Sequence, residues 1–376
     1  MRTRPILLAA LVAALLLLVA AVPAGAAGPG SPRTWGGNGF GELGDGTTGN
    51  RFVPGPVAGL ADAVGLGGGR EHVVALRADG TVWAWGSNQY GQQGNGSTAN
   101  RPTPGPVAGV AGAVQVAGGH YHGLALLGDG TVRAWGMNAQ GQLGDGTRTR
   151  RTRPVAVRNL TGVVQVAGAR GHSLAIRNDG SAWAWGYNAF GELGDGTRTD
   201  RATPVRVTGL TGVVEVAGGR DHSLALRSDG TAWAFGHNQY GQLGDGGTTH
   251  RSVPVRVGSL AGVVAVAAGA YHSLALVGDG TVWAWGRNNL GQLGDGTTAS
   301  RRSPVRVGAL TGVTAIAGGR DHGLAVLGDG TVRAWGANAY GQLGDGTTTR
   351  RTSPVAVAGL SGVETVTAGR AYSAAL

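Results

Sequence analysis

An all-β fold, specifically a seven-bladed β-propeller, follows from three features of the sequence. A 50-residue repeat never slips, each unit is built from short apolar runs punctuated by glycine, and the two chain ends complete one another. Trp35-Gly36 returns as Trp85-Gly86, Trp135-Gly136, Trp185-Gly186, Phe235-Gly236, Trp285-Gly286 and Trp335-Gly336. Asn38, Arg51 and Pro54 recur in the same register down to Asn338, Arg351 and Pro354. A period of this length belongs to solenoids, arrays or propellers.

Within a unit, Ala113 to Ala117 reads as a short strand ended by Gly118-Gly119, and His122 to Leu127 as a second. Asp129-Gly130 then leads into a third strand, Thr131 to Trp135. An Asp-Gly between apolar strands predicts a type I′ hairpin, whose two central residues both need positive φ. It recurs at Asp79, Asp179, Asp229, Asp279 and Asp329. The strands are almost continuously apolar, so sheets covered on both faces are expected. Gly141 to Gly146 is a turn-rich link, and the segment around Pro154 to Val157 supplies an outer strand, where proline is tolerated at an edge. The last unit stops at Ala374-Ala375-Leu376, short of its Asp-Gly hairpin and Trp strand, and Arg33-Thr34-Trp35-Gly36 supplies the missing piece in register. The two ends together therefore make one blade and close a ring, which buries the faces that a linear stack would leave uncapped.

Composition sets the wider frame. The 74 Gly would suggest a disordered or fibrous chain if they were scattered or fell every third residue, and they do neither. The formal charge of +10 comes from Arg alone, with no Lys, which fits a GC-rich coding bias and is weak evidence for nucleic acid. Absence of Cys excludes disulfides, thiolate nucleophiles and Cys-ligated zinc. Arg2 and Arg4, the apolar run Ile6 to Val22, Pro23 and Ala24-Gly25-Ala26 read as a secretory signal, residues 1–26, with cleavage after Ala26. An uncleaved anchor is the alternative, since 17 apolar residues sit at the short limit for a span. Residues 27–376 form a single propeller domain outside the cytoplasm, with no second apolar run and a charge of +8 once Arg2 and Arg4 are gone.

The unit V-x-x-V-A-x-G-x-x-H-S-L-A-L-x-x-D-G-T-V-x-A-W-G-x-N-x-x-G-Q-L-G-D-G-T, almost complete from Val213 to Thr248, resembles the regulator of chromosome condensation repeat. The resemblance covers essentially all of the chain after the signal and implies a seven-bladed propeller with one blade split between the termini. The founding member is a nuclear exchange factor for the GTPase Ran that binds chromatin. Exchange there relies on a projecting wedge, whereas these units are equal in length and follow an export signal. Secreted bacterial members include a β-lactamase inhibitory propeller that binds through rim aromatics, several just before the repeat His. The matching positions here are Glu71, Tyr121, Gly171, Asp221, Tyr271, Asp321 and Ala371, of which two are aromatic.

No reaction centre is legible. His72, His122, His172, His222, His272 and His322, with Tyr372 in the seventh place, would be spread around a wide channel and cannot converge on one ion; a structural hydrogen bond to the same or the next blade is expected. Each Gly-Asp-Gly-Thr turn has one Asp, Asn95 in the second unit, too few oxygens for calcium. That Asp is expected to pair with the Arg six residues on, as in Asp195 and Arg201, giving seven Arg structural roles. A Lys-free chain has no P-loop. The alternation Trp83, Arg133, Trp183, Trp233, Trp283, Arg333 reads as one amphipathic blade position, with a stacking platform as the alternative. No cofactor or metal is expected, and no enzymatic activity.

Positions that repeat serve packing, so a partner would be met where the units differ. One variable loop precedes the His and holds Arg70, Glu71, His120, Tyr121, Arg170, Arg220, Asp221, Tyr271, Arg320 and Asp321. The other follows Trp-Gly and holds Tyr90, Tyr187, Phe190, Tyr240 and Tyr340. Tyr, Phe and Arg are hot-spot residues of interfaces, and loops on rigid scaffolds carry function. The expectation is a monomeric, secreted, non-enzymatic propeller that binds an extracellular or cell-surface protein through this rim. The alternatives are an inhibitor of a secreted hydrolase such as a β-lactamase, and an Arg-mediated binder of an anionic polymer, either cell-wall polymer or nucleic acid. Nucleic acid is not the expected partner.

Overall fold

Short apolar runs bounded by glycine turns leave room for strands of three to six residues. A computed structural model describes residues 30–376, so the expected export segment, residues 1–26, lies outside the described residues. In one blade, strands Ala113–Gly118, His122–Leu127, Val132–Gly136 and Arg151–Ala156 pair antiparallel in that order from the central channel outward. Six sheets share this order among the described residues. The seventh joins the ends: Arg33–Gly36 lies between Arg51–Pro56 and Tyr372–Ala375, with Arg33 opposite Ala375 and Gly36 opposite Tyr372. Each innermost strand packs on the next, and Val366–Ala368 meets Ala63–Gly68 to close the circle.

A ring of backbone hydrogen bonds reinforces the closure. The N–H of residue 70, 120, 170, 220, 270, 320 or 370 donates to a carbonyl of a neighbouring blade, at 2.9–3.3 Å, and Arg370 to Arg70 completes the set. The core lies between blades. Leu124, Leu126, Val132 and Leu143 of one blade pack with Val163, Val166, Ala175 and Trp185 of the next. Trp185 is fully buried, and its Nε1 donates to Gln142 O of the preceding blade at 2.9 Å. Trp35, Trp85, Trp135, Trp285 and Trp335 repeat this bond, whereas Phe235 has no N–H to offer. Truncating one of these indoles to Ala would cost about 3–5 kcal/mol.

The hairpins differ from the type I′ form. Gly130 has φ +76°, but among the described residues Asn159 is the one non-glycine with positive φ, so Asp129 is not left-handed. Gly130 N donates to Leu127 O and Leu127 N to Thr131 O, both at 2.9 Å, which is a turn closed by a glycine bulge. Asp129 Oδ1 accepts from the Thr131 N–H and hydroxyl at 2.9 and 2.7 Å. This local capture by a short carboxylate makes the bulged turn favourable at ordinary Asp geometry.

Candidate partner-binding rim

The two variable loops lie at one end of the propeller because a hydrogen bond ties each pair together. Met137 N donates to Tyr121 O, Tyr187 N to Gly171 O, His237 N to Asp221 O and Arg287 N to Tyr271 O, at 2.7–2.9 Å. Gly136 permits this approach: its φ is +103°, and a Cβ there would sit 2.4 Å from Tyr121 O.

On this rim the aromatics form a connected ridge. Tyr187 meets Phe190 at 6.4 Å between ring centroids, and Phe190 meets His237 at 4.8 Å and His250 at 5.0 Å. His237 continues to Tyr240 at 6.3 Å and Tyr271 at 5.9 Å, and Tyr240 meets Tyr271 at 5.3 Å. A second group joins Tyr90 to Tyr121 at 4.8 Å, with His120 edge-on to Tyr121. Guanidinium groups lie over the rings: Arg70 over Tyr121, Arg170 over Tyr187, Arg220 over Tyr271, and Arg287 over Tyr240 and Tyr271. Tyr340 stands apart at 49% exposure, with no ring neighbour among the described residues.

The charges of the inner loop ring the channel mouth, where residues from all seven blades line a cavity of about 410 Å³. Glu71, Asp221 and Asp321 are nearly buried and ion-paired. Arg370 Nη1 is 2.8 Å from Glu71 Oε1, Arg170 Nη1 is 2.7 Å from Asp221 Oδ1, and Arg320 Nε is 3.1 Å from Asp321 Oδ2. These carboxylates therefore position the arginines. Beneath the outer loop, Glu42 and Glu192 are buried where other units have Gln, and burial lifts their carboxyls to about 7 and about 8.

The His series is built into the seams. His122 Nε2 is 2.9 Å from Ser173 Oγ of the next blade, and Ser173 Oγ donates to Gln142 O at 2.9 Å. His172–Ser223, His222–Ser273 and His322–Ser373 repeat the contact. His72 and His272 face Gly123 and Gly323 instead, and their ring nitrogens are left without that partner. Tyr372 reaches Gly69 O at 3.0 Å and His72 O at 2.6 Å. Burial holds all six imidazoles at about 3–4, so they are neutral. Among the described residues no group of three or more His, Asp or Glu is placed to share a metal ion.

The expected Asp–Arg pairs form in six blades, for example Arg201 Nη2 to Asp195 Oδ2 at 2.9 Å. Asn95 carries no charge, so Arg101 turns its Nη2 to Ala84 O at 2.9 Å. The Trp and Arg residues of the alternating position are half-buried near the hairpin end of the third strand, away from the rim; Trp183 Nε1 bonds Ser181 Oγ at 3.0 Å.

This architecture agrees with the family comparisons. The RCC1-like domain matches residues 112–376, and the regulator of chromosome condensation (RCC1) repeat matches residues 34–76 and 79–126. The chain belongs to the RCC1-like propeller family. Human WBSCR16 has a similar structure, with a TM-score of 0.82 at 25% identity, covering 92% of this chain and 98% of its own. Prp20p of Saccharomyces cerevisiae, described with its binding to Gsp1p and histones, shares the fold at a TM-score of 0.82 and 23% identity, covering 93% of this chain and 91% of its own. The same yeast protein, RCC1 (Prp20) bound to Kap60, matches at 0.82 and 23%, covering 93% and 88%. No curated protein matches the sequence.

In this RCC1-like propeller the sequence missed His250 as a ridge member. Its counterparts Asn50, Asn100, Arg150, Asp200, Ser300 and Arg350 vary from unit to unit, the same signal that marked the other rim positions. Arg370 and Arg287 stand in the two variable loops that the sequence does mark, and they join the rim there.

Proposed function

We propose that this chain is a non-enzymatic, secreted binding propeller that engages an extracellular or cell-surface protein through the rim. The observation that carries the reading is the ridge Tyr187–Phe190–His237–Tyr240–Tyr271, which crosses neighbouring blades with guanidinium groups over its rings. His237 is buried and the other four rings are half-buried, and rings held by one another lose little freedom on binding, so such a surface is pre-organised for a partner. Prp20p, which shares the fold, is described as binding Gsp1p and histones. Secretion rests on the signal read in residues 1–26. The experiment is affinity capture from culture supernatant and cell envelope, with the parent protein and Tyr121→Ala/Tyr271→Ala side by side. A partner held by the parent and released by the variant is expected. Equal retention by both would move the site off this rim.

A further inference from the structure

The channel mouth carries more positive charge than its own carboxylates neutralise. Arg70, Arg170, Arg220, Arg320 and Arg370 line the cavity of about 410 Å³, whereas Glu71, Asp221 and Asp321 are the three acids paired with them. The cations share one cavity lining: burial lowers the Arg70 guanidinium from its ordinary value, and Arg370 of the adjoining blade, Arg320 and Arg220 add to the lowering. His120 is kept neutral by burial and by Arg70, Arg170 and Arg220, so it adds a polar group without adding charge. Arg220 Nε lies 3.3 Å from Asp221 Oδ2, but it is buried and makes no aligned hydrogen bond. Five arginines against three acids leave a net positive charge at the lining of the cup.

Guanidinium forks match carboxylates in shape and charge. The inner loops set these cations around one ring, whereas a nucleic-acid strand needs a linear basic track. Tyr271 of the ridge lies under Arg220, so the cup and the aromatic ridge are one continuous surface, and Tyr121 of the second aromatic group lies under Arg70. That combination suits a carboxylate flanked by an aromatic or apolar side chain, rather than a bare inorganic anion.

We infer that the channel mouth receives an acidic peptide segment of the partner protein. One or two of its carboxylates sit among Arg70, Arg220, Arg320 and Arg370, and a neighbouring apolar residue lies on the Tyr240–Tyr271 ridge. This rests on the rim reading above and names the partner's chemistry.

Isothermal titration of the full chain with the blocked peptide Gly-Asp-Glu-Asp-Tyr-Gly tests it, beside its Asn/Gln counterpart, inorganic phosphate and an oligothymidylate. The acidic peptide should bind and the neutral one should not. Arg220→Gln/Arg320→Gln should weaken binding roughly tenfold or more, and Arg256→Gln/Arg306→Gln, on the exposed outer strands, should leave it unchanged. Glu71→Gln releases Arg370 and Arg70 and should tighten binding, an arm that stands even if the double Arg variant fails to fold. No binding of the acidic peptide, equal loss in the outer-strand variant, phosphate binding as tightly as peptide, or tighter binding of the oligothymidylate would each overturn the inference. A captured partner released by the Tyr variant but retained by Arg220→Gln/Arg320→Gln leaves the rim reading standing and removes the acidic segment. Ring-dependent peptide binding with no rim-dependent partner does the reverse.

Discussion

Replacing Glu192 by Gln should stabilise the propeller, and by more as the pH rises. Five units carry Gln at this place: Gln92, Gln142, Gln242, Gln292 and Gln342. Glu192 is fully buried; its Oε2 accepts from Phe190 N at 2.9 Å, and its Oε1 has no partner. Burial, with smaller contributions from Asp221 and Asp200, lifts its carboxyl from 4.5 to about 8 against the hydrogen bonds that lower it. A carboxyl whose folded pKa lies above its unfolded one costs nothing below the unfolded value. Its penalty then grows with pH and levels off once the folded pKa is passed. At about 1.4 kcal/mol per unit, the penalty is roughly 3 kcal/mol near pH 7 and about 5 kcal/mol above pH 8. Gln escapes this penalty, less the cost of any amide N–H left unpaired, about 1–3 kcal/mol. Urea unfolding of parent and variant near pH 5, 7 and 8.5 measures the difference. The gain should be smallest near pH 5 and largest at the alkaline end. A difference independent of pH, or a variant weaker than the parent at pH 8.5, would refute the burial argument.

Ser273→Ala removes the acceptor facing His222 Nε2 at 2.9 Å and the donor to Gln242 O at 2.8 Å, so the denaturant midpoint should fall by the equivalent of about 1–3 kcal/mol. Arg201→Gln breaks a pair whose Arg is partly exposed, so its cost near neutral pH should be about 1 kcal/mol or less. Burial would raise the Asp195 carboxyl, but Thr197, Arg201 and Asn188 together hold it below 3.8, so that cost should vanish as pH falls through the carboxylate range. The six seam imidazoles are neutral down to about 3–4, whereas an unfolded His takes up its proton near 6.5. Their stabilisation is complete above 6.5 and drains as pH falls below it, partly offset by Glu42, Glu192 and Glu215, whose raised carboxyls act with the opposite sign. Circular dichroism during acid titration should therefore show cooperative loss of the fold beginning above the range where the Asp pairs protonate; a transition confined to that lower range would remove the His from the account.

Much of the architecture was legible in the sequence because a strict repeat prints the same local chemistry seven times. Trp35 to Trp335 marked the blade, the truncated last unit marked the closure, and Asp195 with Arg201 marked a pair six residues apart. The hairpin type was misread, because Asp-Gly is compatible with two turns. Only the capture of Thr131 by Asp129 selects the bulged one.

The sequence by itself determined the unit, its period, the ring and the positions free to vary, since each depends on spacing along the chain or on differences between copies. Tertiary structure decided which variable positions meet. Phe190, His237 and His250 touch because neighbouring blades are turned toward one another at the rim. It also decided which charges come together, since Arg70 and Arg320 are distant in the chain yet line one channel mouth. The +10 of the composition is likewise divided by the fold, part of it ion-paired along the blades and part gathered at the mouth of the ring. Coulomb interaction and ring contact depend on distance in space, and closing a seven-fold circle sets those distances in a way no linear spacing records.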